Sequence, residues 1–218
     1  WPLWLALALA LALRLALWGQ LPRLGLISDE AEYLAAADWL AVGRGFAWHT
    51  QYLWTRAPLY PLFLAAHIAL FERDLAPIFI TQSLLSLINV ALIYLLGLRL
   101  RLGGERRRLA AGLAAGLSAI YLPFASYTQL LLSETLFITL LLGAFVALSL
   151  WAEAIEHAEV SSEKASGGRS GLVEGGLVAL AGGLLGLATL TRGLTLGFVP
   201  IVALWVLWLT WRSTAASS

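Results

Sequence analysis

Apolar residues in this chain come in long unbroken runs rather than at a strand or amphipathic-helix period. WPLWLALALALALRLALWG (1–19) and LLSETLFITLLLGAFVALSLW (131–151) approach or exceed the ~18 apolar residues that mark a bilayer span. A helix on the surface of a soluble domain would show a polar stripe, and these runs have none. The pattern predicts an all-α, polytopic transmembrane helical bundle of about six spans, at 2–19, 76–98, 109–125, 130–151, 172–190 and 194–211.

Two hydrophilic connections interrupt the runs. The first, about 20–75, is aromatic and rich in acid, arginine and proline; the second, EAIEHAEVSSEKASGGRSG at 153–171, is charged and Gly/Ser-rich, as suits a solvated linker. Within the first, APLYPLFLAAHIALF (57–71) is apolar but short for a span, so it reads as an interfacial or re-entrant helix. Juxtamembrane helices are therefore expected in this loop. If 57–71 does not span, Arg99, Arg101, Arg106, Arg107, Arg108, Lys164, Arg169 and Arg212 share one side of the membrane. Arg23, Arg44, Arg56, Arg73 and Arg192 share the other. The excess of positive charge makes the first side cytoplasmic. The 20–75 loop and the turns near Glu134 and Arg192 then face outward, and the 152–171 linker faces the cytoplasm. Trp18, Trp39, Trp48, Trp54, Trp151 and Trp211 fall mostly near span ends, as an aromatic belt would.

Composition strengthens the membrane reading. Hydrophobic residues make up 60% of the 218 and charged residues 12%, with a mean hydropathy of +0.82; soluble domains carry about 25% charged residues. A net charge of +1 and the absence of any recognisable motif argue against nucleic acid as a partner. There is no cysteine, which removes thiolate ligands and thiol nucleophiles. There is no methionine either, so Trp1 is not expected to be a start, and the chain reads as a piece of a longer protein within one domain, 1–218. The first run lacks a basic leader and a small-x-small cleavage site, which favours a retained span over a signal peptide.

Candidate chemistry gathers on the outward side. Asp29 and Glu30 open a segment whose Tyr33, Ala37, Leu40 and Ala41 form one stripe. Acids in a first helical turn favour the macrodipole and need no further role; a carboxylate held at the membrane surface could equally serve as a general base. Arg56 precedes a short helix with Pro58 and Pro61 in its first turn, where proline costs little. It is either a headgroup anchor or a phosphate clamp. His49 is a lone histidine in a polar stretch, usually a solvated residue and otherwise a substrate contact. Glu134 interrupts an apolar run about one turn inside its span. An acid there needs a partner or a function; structural pairing with Arg14 or Arg192 is the plainer alternative. Arg192 is an interface anchor or a phosphate contact, and Arg14 must snorkel or pair. Gln82, Ser86 and Asn89 share a face of the second span, and helix–helix hydrogen bonds account for them. Gly112 and Gly116, and the glycines at 175–186, read as close-packing positions. No phosphate-binding loop, dinucleotide fingerprint or serine elbow is present.

Taken in order, Asp29-Glu30 with Tyr33, Arg56 with PLYPLFLA (58–65), Gln82, SETLF (133–137) and LTRG (190–193) resemble the GT-C superfamily of membrane glycosyltransferases. The likeness is to the bacterial branch akin to protein O-mannosyltransferases and lipid A aminoarabinose transferases, over the N-terminal half of such an enzyme. The resemblance implies a many-helix membrane fold and a sugar donor linked to polyprenyl phosphate, with a glycan, lipid or protein as acceptor. On it, Asp29 looks like the base, Glu30 and Glu134 position the acceptor, a metal or the base, and Arg56 and Arg192 steady the phosphate. Tyr33, His49, Tyr60 and Gln82 would line the substrate site. Relatives often have proline after the arginine of the last motif, where this chain has Gly193, which loosens the assignment of Arg192. A divalent metal is used by some relatives only, and no metal site is legible here. Rival classes are a transporter or flippase of a lipid-linked or small polar substrate, which should carry charge across the midplane, and a non-catalytic assembly subunit.

Overall fold

The structure is a computed structural model that describes residues 1–20, 25–26, 29–45, 56–160 and 169–215. His49, Arg23, Trp48, Trp54 and Lys164 lie outside the described residues. Among those described the chain is helical, without strands: α1 (Pro2–Leu17), α2 (Glu30–Ala41), α3 (Leu59–Phe71), α4 (Ala76–Gly97), α5 (Gly104–Ile120), α6 (Leu122–Ser126), α7 (Glu134–Val160), α8 (Arg169–Thr191) and α9 (Val199–Ala215). One 3-10 turn, Tyr127–Gln129, follows α6, and another, Gly193–Gly197, precedes α9.

Among the described residues four segments are long and apolar enough to cross a membrane: Ala76–Gly97, Glu134–Glu156, Leu172–Thr191 and Gly193–Ser213. The segment expected as a span at 109–125 is a bent pair, α5 with Leu122–Gln129, which is apolar enough only when taken together and turns by 58° at Tyr121. Pro123 explains where the bend falls: a proline here opens α6 and cannot continue the hydrogen-bond ladder of α5. α1 has 16 residues and α3 has 13, both shorter than the ~20 residues needed for an untilted crossing.

Small residues set how closely the helices approach. Ala6 and Ala10 of α1 pack on Ala115 and Ala119 of α5 and on Val90 of α4. A side chain on Gly97 would come within 2.6 Å of the Ala111 Cα, and one on Gly112 within 2.7 Å of the Pro2 Cβ. These two glycines therefore permit the α4–α5 and α1–α5 crossings. The expected partner of Gly112 does not share its role: Gly116 faces open space, as do Gly175, Gly176, Gly182, Gly183 and Gly186 of α8. Trp151 likewise departs from a belt position. It is buried in α7, edge-on to Trp205 of α9 at 5.8 Å between ring centroids.

Arg14 does not snorkel, and it meets no acid among the described residues. It is 2% exposed and donates to Ser86 Oγ at 2.6 and 3.1 Å and to the carbonyls of Ala10 and Ala119 at 2.9 and 3.1 Å. One guanidinium thus ties α1, α4 and α5 together. α2 and α3 lie against each other at the N-terminal end of α4, where Tyr33, Ala37, Tyr60, Leu64, Ile68 and Ile78 close over Leu131 and Leu132. Leu40 and Ala41 pack at the edge of this cluster, completing the stripe expected for α2.

Candidate functional site

The short segment between α6 and α7 builds the floor of the site. Gln82, fully buried in α4, donates to the carbonyls of Thr128 and Leu130 at 3.1 and 2.9 Å. Gln129 donates to the Leu17 carbonyl and accepts from the Gly19 N–H, both at 2.8 Å, fastening the end of α1 to the same segment. Glu30, 1% exposed, accepts from the Leu131 N–H at 2.7 Å. These side chains supply the partners that non-helical backbone must find when it is taken out of water.

Asp29 occupies the position before α2, yet its side chain does not cap the helix. Both carboxylate oxygens accept from Arg56, at 2.8 and 3.1 Å, in a bidentate pair. The third arm of Arg56, Nε, donates to Glu32 at 2.7 Å. All three groups keep between 34% and 41% of their side-chain surface exposed. The hydrogen bond from Glu32 pushes the Arg56 guanidinium above its ordinary value, with partial burial opposing and the nearby charge of Asp29 adding to it. The Arg56 head also lies 6.0 Å from the centre of the Tyr33 ring.

Tyr33 and Tyr60 meet edge to face at 4.9 Å behind this pair. The Tyr33 hydroxyl lies 3.3 Å from Ser133 Oγ, and the Tyr60 hydroxyl donates to Gln82 Oε1 at 2.9 Å. Burial pushes the Tyr60 phenol well above its ordinary range, and the charges of Glu134 and Glu30 act in the same direction. Tyr60 is therefore a fixed donor.

Glu134 was expected about one turn inside its span, but it is the first residue of α7. Leu130 is extended, and the backbone held by Gln82 and Glu30 postpones the helix. One oxygen of Glu134 pairs with Arg192 at 2.5 Å; the other is buried and has no hydrogen-bond partner among the described residues. Arg192 itself sits in extended backbone between α8 and the 3-10 turn, which aims it across α7.

Of the nine residues singled out by sequence, eight converge at this end of the bundle: Asp29, Glu30, Tyr33, Arg56, Tyr60, Gln82, Glu134 and Arg192. His49 lies outside the described residues. Sequence reasoning missed Glu32 and Gln129, and gave Ser133 no role beyond its place in SETLF (133–137). Glu32 could have been found, since three residues after Asp29 places it on the same helical face. Among the described residues no three Asp, Glu or His side chains group as metal ligands, and both oxygens of Asp29 accept from Arg56. A cavity of about 1110 Å³ lies elsewhere, beside the 98–102 loop and α9. Compared with protein families, with curated proteins and with solved structures, the chain gives no match.

Proposed function

We propose that this chain carries the donor-phosphate and base machinery of an inverting glycosyltransferase. It would move a sugar from a polyprenyl-phosphate donor to an acceptor hydroxyl at the external face of a cell membrane. The observation that carries the reading is the convergence, at one end of the helices, of two carboxylate–arginine pairs over a floor of buried tyrosines. Phosphate competes well for an arginine already displayed in a bidentate fork. The resemblance to GT-C enzymes supports it, and so does the charge division that puts this end outside and 99–108 inside. On this reading α1 and the bent α5–α6 pair bring the spans to six, and α2 and α3 lie along the membrane surface.

The chemistry balances without a further reactant. Asp29 takes the proton of the acceptor hydroxyl, and the acceptor oxygen bonds to the anomeric carbon from the face opposite the phosphate. The bond from that carbon to the phosphate oxygen breaks, and its electron pair leaves on polyprenyl phosphate. Arg56 and Arg192 meet the charge that grows there, the kind of preorganised stabilisation that lowers such barriers most. The unpartnered oxygen of Glu134 is an acceptor for a sugar hydroxyl, and Glu30 holds the floor.

The natural lack of cysteine gives a direct test. Single cysteines at 29, 56, 134 and 105 are probed in intact cells with an impermeant maleimide, with and without added polyprenyl phosphate. Positions 29, 56 and 134 should label from outside and be protected by the lipid phosphate, while 105 stays silent. Labelling of 105, or absence of protection at the other three, overturns the proposal.

A further inference from the structure

The opposite end of the helices holds a second charged feature that the proposed reaction does not use. The cavity of about 1110 Å³ there is walled by apolar side chains that include Leu148 of α7, Phe198 just before α9 and Val202 of α9, and rimmed by Arg99, Arg101, Arg107 and Arg108. Arg99 pairs with Glu153 and Arg101 with Glu156, which fastens the loop after α4 to α7. Arg107 and Arg108, in the first turns of α5, form no ion pair among the described residues and are exposed. Arg99 Nε is in addition buried without a hydrogen-bond partner among the described residues. The cavity therefore joins an apolar wall to a rim with two uncompensated positive charges and one unsatisfied guanidinium donor.

We infer that this groove is a binding site for one anionic phospholipid, its phosphate at Arg107 and Arg108 and its acyl chains along Leu148, Phe198 and Val202. Charge complementarity selects that occupant. A neutral amphiphile would fill the apolar wall but leave the rim unanswered, and a soluble phosphate would leave the wall in water. An arginine loop that served only to orient the protein would need headgroups nearby but no groove. Here two of the rim arginines are taken up by Glu153 and Glu156, and the other two are exposed. The two roles are divided by residue, which makes the site specific and of defined stoichiometry rather than a diffuse attraction.

The test uses the chain in detergent micelles, with native mass spectrometry reading lipids retained per chain as phosphatidylglycerol or phosphatidylcholine of equal chain length is added. One phosphatidylglycerol should be retained in preference to phosphatidylcholine by about thirtyfold, the combined effect expected of two arginines facing an anionic headgroup. Arg107→Gln/Arg108→Gln should abolish the preference. Arg106→Gln, a neighbour outside the groove lining, should preserve it and reports that the charge must sit at the rim. Val202→Trp should fill the groove and lower retention of both lipids with the charge unchanged. Equal retention of the two lipids by the wild type, or an unaltered preference in the double variant, overturns the inference. So does displacement of the lipid by glycerol phosphate alone, which would mark a site for free phosphate. A dimer without bound lipid overturns it too, since a second copy would then be the occupant.

Discussion

Replacing Arg56 by glutamine separates a structural ion pair from a ligand site, because the two uses of the guanidinium differ in size and in sign. In the structure Arg56 makes three charge-assisted hydrogen bonds, two to Asp29 and one to Glu32. With roughly a third of each side chain in solvent, exposed pairs of this kind contribute about 1 kcal/mol in total. Arg56→Gln should therefore leave the chain folded, with a small loss of stability in a denaturing-detergent titration followed by tryptophan fluorescence. A phosphate held by the same group, away from bulk water, loses about 1.5–3 kcal/mol of interaction, which is roughly tenfold to a hundredfold in affinity for polyprenyl phosphate. Protection of the 134 cysteine against maleimide reads that affinity. The control is Glu32→Gln, which removes a competitor for the guanidinium and should hold or raise the affinity. The reasoning is refuted if Arg56→Gln binds polyprenyl phosphate within threefold of wild type, or if Glu32→Gln weakens binding as much as Arg56→Gln does.

Two further outcomes follow from buried groups. Ser86→Ala should cost about 2–3 kcal/mol, because it leaves two guanidinium donors of Arg14 buried without their acceptor; Arg14→Leu should cost less, since it removes the buried charge together with its bonds. Unfolding titrations of the two variants and their double decide it, and Arg14→Leu as the costlier change would refute the argument. Tyr60, whose phenol is raised by burial, keeps its proton in the folded chain while the unfolded chain releases it near its ordinary value of 10. The unfolded state is thus favoured as pH climbs past about 10, and the contribution is lost as pH rises towards the folded value. Tyr60→Phe should flatten the fall in stability between pH 9 and pH 11 relative to wild type, and an identical slope would contradict it.

The long apolar runs made the helical class and the positions of α4, α7 and α8 legible, because a span must satisfy its backbone internally and so must be a continuous helix. Helix ends were less legible where tertiary partners decide them. Glu134 begins α7 only because Gln82 and Glu30, far away in sequence, hold the carbonyls and N–H of 128–131. The break at Tyr121 was foreshadowed by Pro123, but its 58° angle belongs to the packing around it. Arg14 shows a different limit. Charge alone suggested a carboxylate or the interface, whereas Ser86 and two carbonyls satisfy it in place. The candidate site was legible as a set of residue types in order; the pairing was not. Nothing in the spacing says that Arg56 takes Asp29 and Glu32 while Arg192 takes Glu134.

That pairing bears on how the proposed reaction would manage charge. Four carboxylates, Asp29, Glu30, Glu32 and Glu134, share this end with Arg56 and Arg192, so at first sight it is an unfavourable place to bring an anionic donor. The reaction, however, moves charge rather than adding it. When the acceptor proton reaches Asp29, one negative charge disappears there; when the bond to the anomeric carbon breaks, one appears on the phosphate. Arg56 already bonds to Asp29 through two of its nitrogens, so protonation of Asp29 releases the guanidinium at the stage when the phosphate gains its second charge. An arginine shared in this way stabilises the charge on whichever group carries it and leaves the total within the site unchanged, which limits the reorganisation the surroundings must undergo. Glu32 keeps a hold on the Nε of the same guanidinium, so that Arg56 can turn between its two partners without leaving the site. A lysine at position 56 would carry the same charge but lacks the planar fork that serves two oxygens on one side and a third partner on the other. Arg56→Lys should therefore fold as the wild type does and bind the lipid phosphate weakly, and a full-strength binder would show that charge alone was needed there.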